Sequence, residues 1–326
     1  MYRFVVLVMA VGGFVYGQGV AAKPAPAAAK AKTAWTGPRT IDGQPDLQGT
    51  WSNASNIPLE RPKELGAKEF YTEAEAAQAE GNKTDRAPDR VALPEAHYDM
   101  SQFGLANKWV KMAPNLRTSL IVGPEGRVPA FTPEAAKRVA ARAAYNREHL
   151  YDSAQNRGLS ERCIIWGNEG APMLPQGYNS NLQIFQTSGQ VAILQEMIHD
   201  VRMIPLDNRP HLPKDVQQWA GDSRGHWEGE TLVVETTNFT GKTMLRGATE
   251  NMHVTERFTR TGPDSIVYQF TVEDPNTWVK PWSGEVPMTR SNGRIYEYAC
   301  HEGNLGMANI LSGARADEKR LAEGGK

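Results

Sequence analysis

Residues 252–274, MHVTERFTRTGPDSIVYQFTVED, are the most informative stretch of the sequence for the fold. Apolar and polar residues alternate on both sides of the turn residues 262–264, which is typical of two antiparallel strands joined by a tight turn. One face of the second strand carries four apolar residues: Ile266, Tyr268, Phe270 and Val272. The opposite face carries Gln269, Thr271 and Glu273, so this hairpin is predicted to cover a core on one side only.

The same alternation runs from residue 181 to residue 300. Three further turn signals interrupt it, at Ser188-Gly189, Glu228-Gly229 and Asn292-Gly293. A meander of this size exposes unpaired sheet edges unless it closes on itself. The sequence therefore predicts a mainly β chain whose core is an antiparallel up-and-down, lipocalin-like barrel of eight or nine strands.

The chain before and after this region follows other patterns. Thr72 with Glu75 forms a capping box for one helix, and Thr132 precedes a second helix that begins at Pro133. The predicted organisation has an irregular N-terminal region with two helices at 35–160, the barrel at 161–304, and a C-terminal helix and tail at 305–326. The apolar stripe of that last helix is expected to cover one end of the barrel.

The first residues predict export. Arg3 precedes the apolar run FVVLVMAVGGFVYG, and small residues follow it, so residues 1–21 are interpreted as a secretory signal peptide. Residues 22–34 are rich in Ala, Pro and Lys and are interpreted as a linker. A periplasmic or extracellular protein is expected, without an integral membrane segment after cleavage and without a lipid-modified cysteine.

Charge and motifs exclude several function classes. The sequence has 36 basic and 37 acidic residues and no basic run, so nucleic acid is not an expected partner. It contains no P-loop, no dinucleotide-binding glycine motif, no G-x-S-x-G, no H-E-x-x-H and no C-x-x-C. No organic cofactor is predicted.

Several sequence blocks support a resemblance. They include PDLQGTW, RTSLIVGPEGR, GDSRGHWEGETLVVETTNFT and YEYACHEGNLGM, and together they span most of the chain after residue 40. In these blocks the chain resembles a family of secreted proteins abundant in soil bacteria of the acidobacterial kind. The resemblance implies a bacterial exported protein, and it supplies no activity, cofactor or catalytic residue.

The sequence has two cysteines, Cys163 and Cys300. In an exported protein such a pair is expected to form a disulfide rather than a nucleophile or a metal ligand.

Glu256 is the strongest catalytic candidate in the sequence. It lies on the apolar face of its strand, where loss of hydration disfavours the charged form and suits a carboxyl to act as an acid or base. His253 and His301 are the candidate partners. The alternative is a buried ion pair with an arginine, for example Arg246, and both interpretations stay open.

Other polar and aromatic residues suggest a ligand site. His199 and Arg202 form a polar cluster with Glu196 and Asp200 near the join of two strands, where Arg202 could hold a carboxylate. A solvated hairpin tip is the alternative. The candidate ligand-binding residues are Trp227, Tyr268, Tyr298, Tyr296, Arg246, Arg202 and His199.

Three functions are compatible with these patterns. The first is a binding protein that holds a small apolar or aromatic molecule in the barrel mouth. The second is a lyase, isomerase or hydrolase without organic cofactor, with Glu256 and a histidine as acid and base. The third is a structural envelope protein. No metal site is predicted, because the seven histidines are scattered along the sequence. A barrel filled with side chains would contradict the first two.

Overall fold

The computed structural model describes residues 35–55, 57–84, 115–167, 169–176, 179–242 and 245–324. The predicted signal peptide and linker lie outside these residues. The strands are β1 (Gly49–Ser52), β2 (Asn181–Thr187), β3 (Gln190–Gln195), β4 (Val201–Pro205), β5 (Asp222–Glu228), β6 (Thr231–Thr237), β7 (His253–Gly262), β8 (Ser265–Glu273) and β9 (Trp282–Arg290). The helices are α1 (Glu73–Thr84), α2 (Pro133–His149) and α3 (Leu305–Ala322).

The nine strands form one antiparallel sheet in the order β4-β3-β2-β1-β9-β8-β7-β6-β5. The sheet curls into a nearly closed barrel in which β4 lies beside β5 without a hydrogen-bond ladder. This confirms the predicted antiparallel up-and-down barrel of eight or nine strands. Because nine is odd and neighbouring strands alternate in direction, β4 and β5 point the same way, so the antiparallel pattern cannot continue across this seam.

Strand direction gives the barrel two different ends. At the hairpin end, tight turns join β2 to β3, β5 to β6 and β7 to β8. At the loop end, β5 and β7 begin and β6 and β8 end. The long segments 238–252 and 274–281 lie there, together with residues 196–200 between β3 and β4. Functional side chains are more often carried by such long connections than by tight hairpins.

The interior of the barrel follows the predicted alternation. Val254, Glu256 and Phe258 of β7 are buried, as are alternate residues of β8 and β9. The fully buried aromatic residues Trp51, Phe258, Tyr268 and Phe270 help to fill the barrel. The interior is therefore a packed core with a polar group at its centre, so any ligand site has to lie outside this packed interior.

The segment after β9 differs from its prediction. Asn292-Gly293 was expected to start another strand, but residues 291–304 contain no strand. The reason is that β9 already pairs with β8 on one side and with β1 on the other. β1 comes from the N-terminal region and occupies the position that the predicted strand would have needed.

The helices begin where the sequence predicts. Thr72 and Glu75 exchange the capping-box hydrogen bonds, and the Thr132 side chain caps α2 by accepting from the Ala135 N–H at 3.1 Å. Helix α3 extends through the charged tail to Ala322 and buries none of its residues, so it is not the predicted cover of a barrel end. Among the described residues, no helix combines the length and apolar character needed to cross a membrane.

Candidate functional site

A polar network crosses the barrel interior from the seam. Arg202 on β4 donates to Glu256 through both terminal nitrogens, with Nη1 3.0 Å from Oε1. Its Nε donates to the Ser223 hydroxyl on β5 at 2.9 Å, and its Nη2 donates to the Thr236 hydroxyl on β6 at 2.8 Å. Burial is the largest single influence and would lower the pKa of Arg202, but the Glu256 charge, the hydrogen bonds to Glu256 and the nearby Tyr268 together raise it. Arg202 therefore stays charged and ties the seam to the core.

Tyr268 completes the network on β8. Its hydroxyl donates to Glu256 Oε1 at 2.7 Å and accepts from the Met173 N–H at 2.9 Å. Burial, with the nearby Glu256 charge, raises the pKa of Tyr268 well above its usual value. The phenol is thus neutral, completely buried and fully hydrogen-bonded.

Glu256 therefore forms a buried ion pair, which the sequence analysis gave as the alternative to a catalytic role. Its partner is Arg202 and not Arg246. Its hydrogen bonds within the described residues go to Arg202 and Tyr268, and none goes to a histidine. His253 lies 3.9 Å from Glu273, and His301 is exposed in the segment after β9. A catalytic role for these three residues stays a prediction.

The predicted ligand-binding residues are spread over the molecule. Trp227 lies near the hairpin end, packs against the core, and its buried Nε1 has no hydrogen-bond partner within the described residues. Tyr298 is half-buried and Tyr296 is 72% exposed. His199 lies at the loop end with φ 66°, and its buried Nδ1 has no hydrogen-bond partner in the part of the chain that the structure describes. Trp227 and His199 thus lie at opposite ends of the barrel, so the structure does not bring these two residues together.

An apolar cavity of about 180 Å³ opens at the loop end of the barrel. It lies between the segment 165–176, the start of β5 and the connection from β6 to β7. Its large apolar and aromatic lining residues are Trp166, Leu174, Trp219, Phe239, Leu245 and Met252. Arg246, which the sequence analysis selected, also lines it, and the Arg246 Nη1 lies 2.6 Å from Glu60 Oε1.

Glu169 is the buried acidic group of this cavity. Only 8% of the residue is exposed. Its Oε2 accepts from the Trp166 N–H at 3.0 Å, while its buried Oε1 has no hydrogen-bond partner within the described residues. Burial, followed by the repulsion from Asp200, raises the pKa of Glu169 from 4.5 to about 8. A carboxyl in this state can hold or release a proton near neutral pH.

A second cavity, of about 380 Å³, lies along the seam. It is lined by Arg202 and Met203 of β4, by Asp222 and Arg224 of β5, and by Glu169. Arg224 Nη1 is paired with Asp222 Oδ1 at 2.6 Å. Glu169 therefore stands where the apolar cavity meets the polar seam.

The predicted disulfide is present between Cys163 and Cys300. It attaches the segment after β9 to the turn that precedes the Glu169 segment. Asn304 reinforces this link by donating to the Glu161 carbonyl at 2.8 Å. The cysteine pair thus anchors one border of the cavity.

Sequence reasoning missed Glu169, Trp166 and Trp219. None of them lies on a strand, so the alternation that selected Glu256 gives no information about their burial. The available signal was local, a glutamate between Gly167 and Gly170 shortly after a tryptophan and a cysteine. Among the described residues, no three His, Cys, Asp or Glu side chains are grouped so that they could hold a metal ion.

No family model matches the sequence, and no curated protein matches it. Among solved structures, the chain is similar to a mutant of the fluorescent protein UnaG, with 16% sequence identity over 35% of this chain and 72% of that chain. The TM-score is 0.22. At that value the likeness carries no argument, and the barrel described above rests on this chain's own strand pairing.

Proposed function

We propose that this protein binds a small apolar or aromatic molecule in the cavity at the loop end of the barrel. The observation that carries the proposal is the composition of the cavity wall. Aromatic and aliphatic side chains surround an almost completely buried carboxyl and leave a space for a ligand. Binding pockets commonly combine an apolar wall with a few polar groups that orient the ligand.

The size of the cavity limits the ligand. An apolar cavity of about 150 Å³ in another protein holds benzene, and this one measures about 180 Å³. A single aromatic ring with a short substituent is therefore the expected scale. The site lies beside the packed core rather than inside the barrel, so binding does not require the core to open.

Two tryptophans supply a matched test. Trp219 is half-buried and lines the cavity, while Trp227 is half-buried near the hairpin end. We expect benzyl alcohol, measured by isothermal titration calorimetry, to bind the unmodified protein. Trp219→Ala should weaken binding about tenfold, equivalent to about 1.4 kcal/mol. Trp227→Ala should change it by less than about twofold, because no contact with the cavity is lost.

A variant that fills the cavity provides a second test of the proposed site. Leu245→Trp places a larger side chain in the cavity wall and should abolish binding while the protein stays folded by circular dichroism. If Trp227→Ala removes binding and both cavity variants keep it, the ligand site is near the hairpin end and the proposal is wrong. If neither benzyl alcohol nor the two charged one-ring probes described below bind the unmodified protein, the ligand-binding function itself is rejected.

We also propose that the protein acts outside the cytoplasm. The proposal is supported by the signal-peptide pattern of residues 1–21 and by the Cys163–Cys300 bond, since disulfides persist mainly in oxidising compartments. Expression of the full chain in a bacterium should yield a periplasmic or secreted product that lacks the first twenty or so residues by mass spectrometry. A full-length cytoplasmic product with free thiols would contradict export.

A further inference from the structure

The hydrogen-bonding capacity of the Glu169 carboxyl is only partly used by the residues around the cavity. One oxygen accepts from the Trp166 N–H, and the other has no hydrogen-bond partner within the described residues. A buried carboxylate is costly unless a cation or several donors compensate it. Without such compensation the group takes up a proton, which agrees with its pKa of about 8.

The cations around Glu169 are already engaged. The arginines that line the two cavities are each paired with a different carboxylate, Arg202 with Glu256, Arg224 with Asp222, and Arg246 with Glu60. The remaining charged group of the seam cavity, Asp200, is negative and repels the Glu169 charge. The electrostatic environment of Glu169 therefore favours an added positive charge over an added negative one.

We propose that the cavity binds a small aromatic amine, with its ammonium group against the Glu169 carboxyl and its ring among Trp166, Trp219 and Phe239. This inference rests on the ligand-binding function proposed above and specifies the ligand class. The terminal torsion of a glutamate is broad, so the carboxyl can turn its free oxygen to the ligand. Aromatic side chains add to the attraction, because a cation over a ring face is stabilised by the ring quadrupole.

A bound ammonium group would supply the hydrogen-bond partner that the second Glu169 oxygen lacks within the described residues. A charged hydrogen bond between an ammonium and a carboxylate is about twice as strong as a neutral one. A site whose buried carboxylate needs a cation discriminates against a neutral analogue, because that analogue leaves the charge uncompensated. An anionic analogue adds repulsion from Glu169 and Asp200.

Three one-ring probes separate these cases, namely benzylamine, benzyl alcohol and benzoate. Calorimetric titration of the full mature protein at pH 8.5 should give at least tenfold tighter binding for benzylamine than for benzyl alcohol, and the weakest binding for benzoate. Glu169→Gln should remove the preference for benzylamine while benzyl alcohol still binds. Glu196→Gln is the matched control, because that glutamate lies at the same end, bonds to Asn181 and lines neither cavity.

The unmodified protein supplies a measurement that does not depend on the variant folding. Benzylamine remains a cation between pH 6 and pH 8.5, while Glu169 loses its proton over this range. The preference for benzylamine over benzyl alcohol should therefore grow as the pH rises. Other charged groups also line the cavities around Glu169, namely Asp200, Asp222 and the three paired arginines. The measured quantity is the ratio of the two dissociation constants, because any effect of these groups that is equal for both ligands cancels in that ratio.

The outcomes distinguish the two proposals. If benzyl alcohol or benzoate binds as tightly as benzylamine at pH 8.5, the amine class is wrong and the ligand-binding function stands. A preference that Glu169→Gln leaves intact, or that does not change with pH, also overturns the assignment to Glu169. If none of the three probes binds, both proposals are rejected.

Discussion

Arg202 on β4 and Glu256 on β7 form a buried ion pair that links the open seam of the barrel to its centre. The barrel does not close with a ladder here, and because β4 and β5 point in the same direction the antiparallel pairing of the other strands cannot continue across the seam. The Arg202 guanidinium instead contacts Ser223 on β5 and Thr236 on β6. Side-chain hydrogen bonds thus take over at the seam the role that backbone pairing has elsewhere in the barrel.

The first prediction concerns Glu256. Glu256→Gln should lower the free energy of unfolding by about 3–5 kcal/mol, because it leaves the Arg202 charge buried without its partner. Guanidinium denaturation followed by circular dichroism measures this. Glu235→Gln, at an exposed position of β6, is the control and should change stability by less than about 0.5 kcal/mol.

A double variant separates this ion-pair effect from damage to packing. Arg202→Met combined with Glu256→Leu removes both charges and should recover most of the stability lost by Glu256→Gln. If Glu256→Gln is as stable as the unmodified protein, the ion pair is not what holds the seam. That result would favour the catalytic interpretation of Glu256 over the structural one.

The second prediction concerns Tyr268. Tyr268→Phe removes the hydroxyl that bonds both Glu256 and the Met173 N–H. The buried N–H then loses its acceptor, and we expect a loss of about 1–3 kcal/mol in the free energy of unfolding. Tyr145→Phe removes a half-exposed hydroxyl on α2 and should have no measurable effect. Equal denaturation midpoints for the two variants would contradict the role assigned to Tyr268.

The third prediction concerns the packing of β4 against β5. A Cβ atom on Gly225 would lie 2.8 Å from Ile204 Cγ2 and 2.8 Å from Leu206 Cδ2. Gly225→Ala should therefore push the two strands apart and cost about 1–3 kcal/mol. Gly189→Ala is the control, because among the described residues none beyond its two chain neighbours has an atom within 4 Å of the added carbon. Hydrogen exchange should show the change in β4 and β5, and an unchanged exchange pattern would mean that the seam is loosely packed.

The fourth prediction concerns the disulfide. Cys163 and Cys300 are separated by 137 positions, and the chain-entropy model gives about 5 kcal/mol for a loop of this length. Replacing both cysteines by serine should lower the free energy of unfolding by several kcal/mol in guanidinium denaturation without reductant. If the variant differs only by faster proteolysis near α3, the bond holds that helix and not the barrel.

The fifth prediction concerns pH. Because the pKa of Glu169 is raised from 4.5 to about 8 in the folded protein, folding favours its protonated form. Its contribution to stability is present below pH 4.5 and is lost as the pH rises towards 8. Between these values its slope is at most about 1.4 kcal/mol per pH unit.

Glu169→Gln should remove this slope. Denaturation at pH 5, 6, 7 and 8 should show the variant gaining stability relative to the unmodified protein as the pH rises. Glu196→Gln is the control for loss of an acidic side chain at the same end. Parallel curves for the unmodified protein and Glu169→Gln would show that Glu169 titrates normally in the folded state.

The outcome at two similar segments shows what sequence patterns can predict. The hairpin at residues 252–274 follows from alternation and a tight turn, and the structure contains it. Asn292-Gly293 is an equally clear turn signal, yet no strand follows it. A local pattern shows that a segment is able to form a strand, but a strand forms only where a neighbouring strand has a free edge. Here β1 already occupies the free edge of β9.

The mainly β class, the inward-facing residues of the long strands and the caps of α1 and α2 can be predicted from the sequence, because they depend on periodicity and on interactions between near neighbours in the chain. The disulfide can be predicted because the chain has two cysteines and an export signal pattern. That Arg202 is the partner of Glu256 and that Glu169 enters an apolar cavity is visible only in the folded chain. Both outcomes depend on contacts between segments distant in sequence, and for Glu169 the burial that these contacts produce also raises the pKa of the carboxyl.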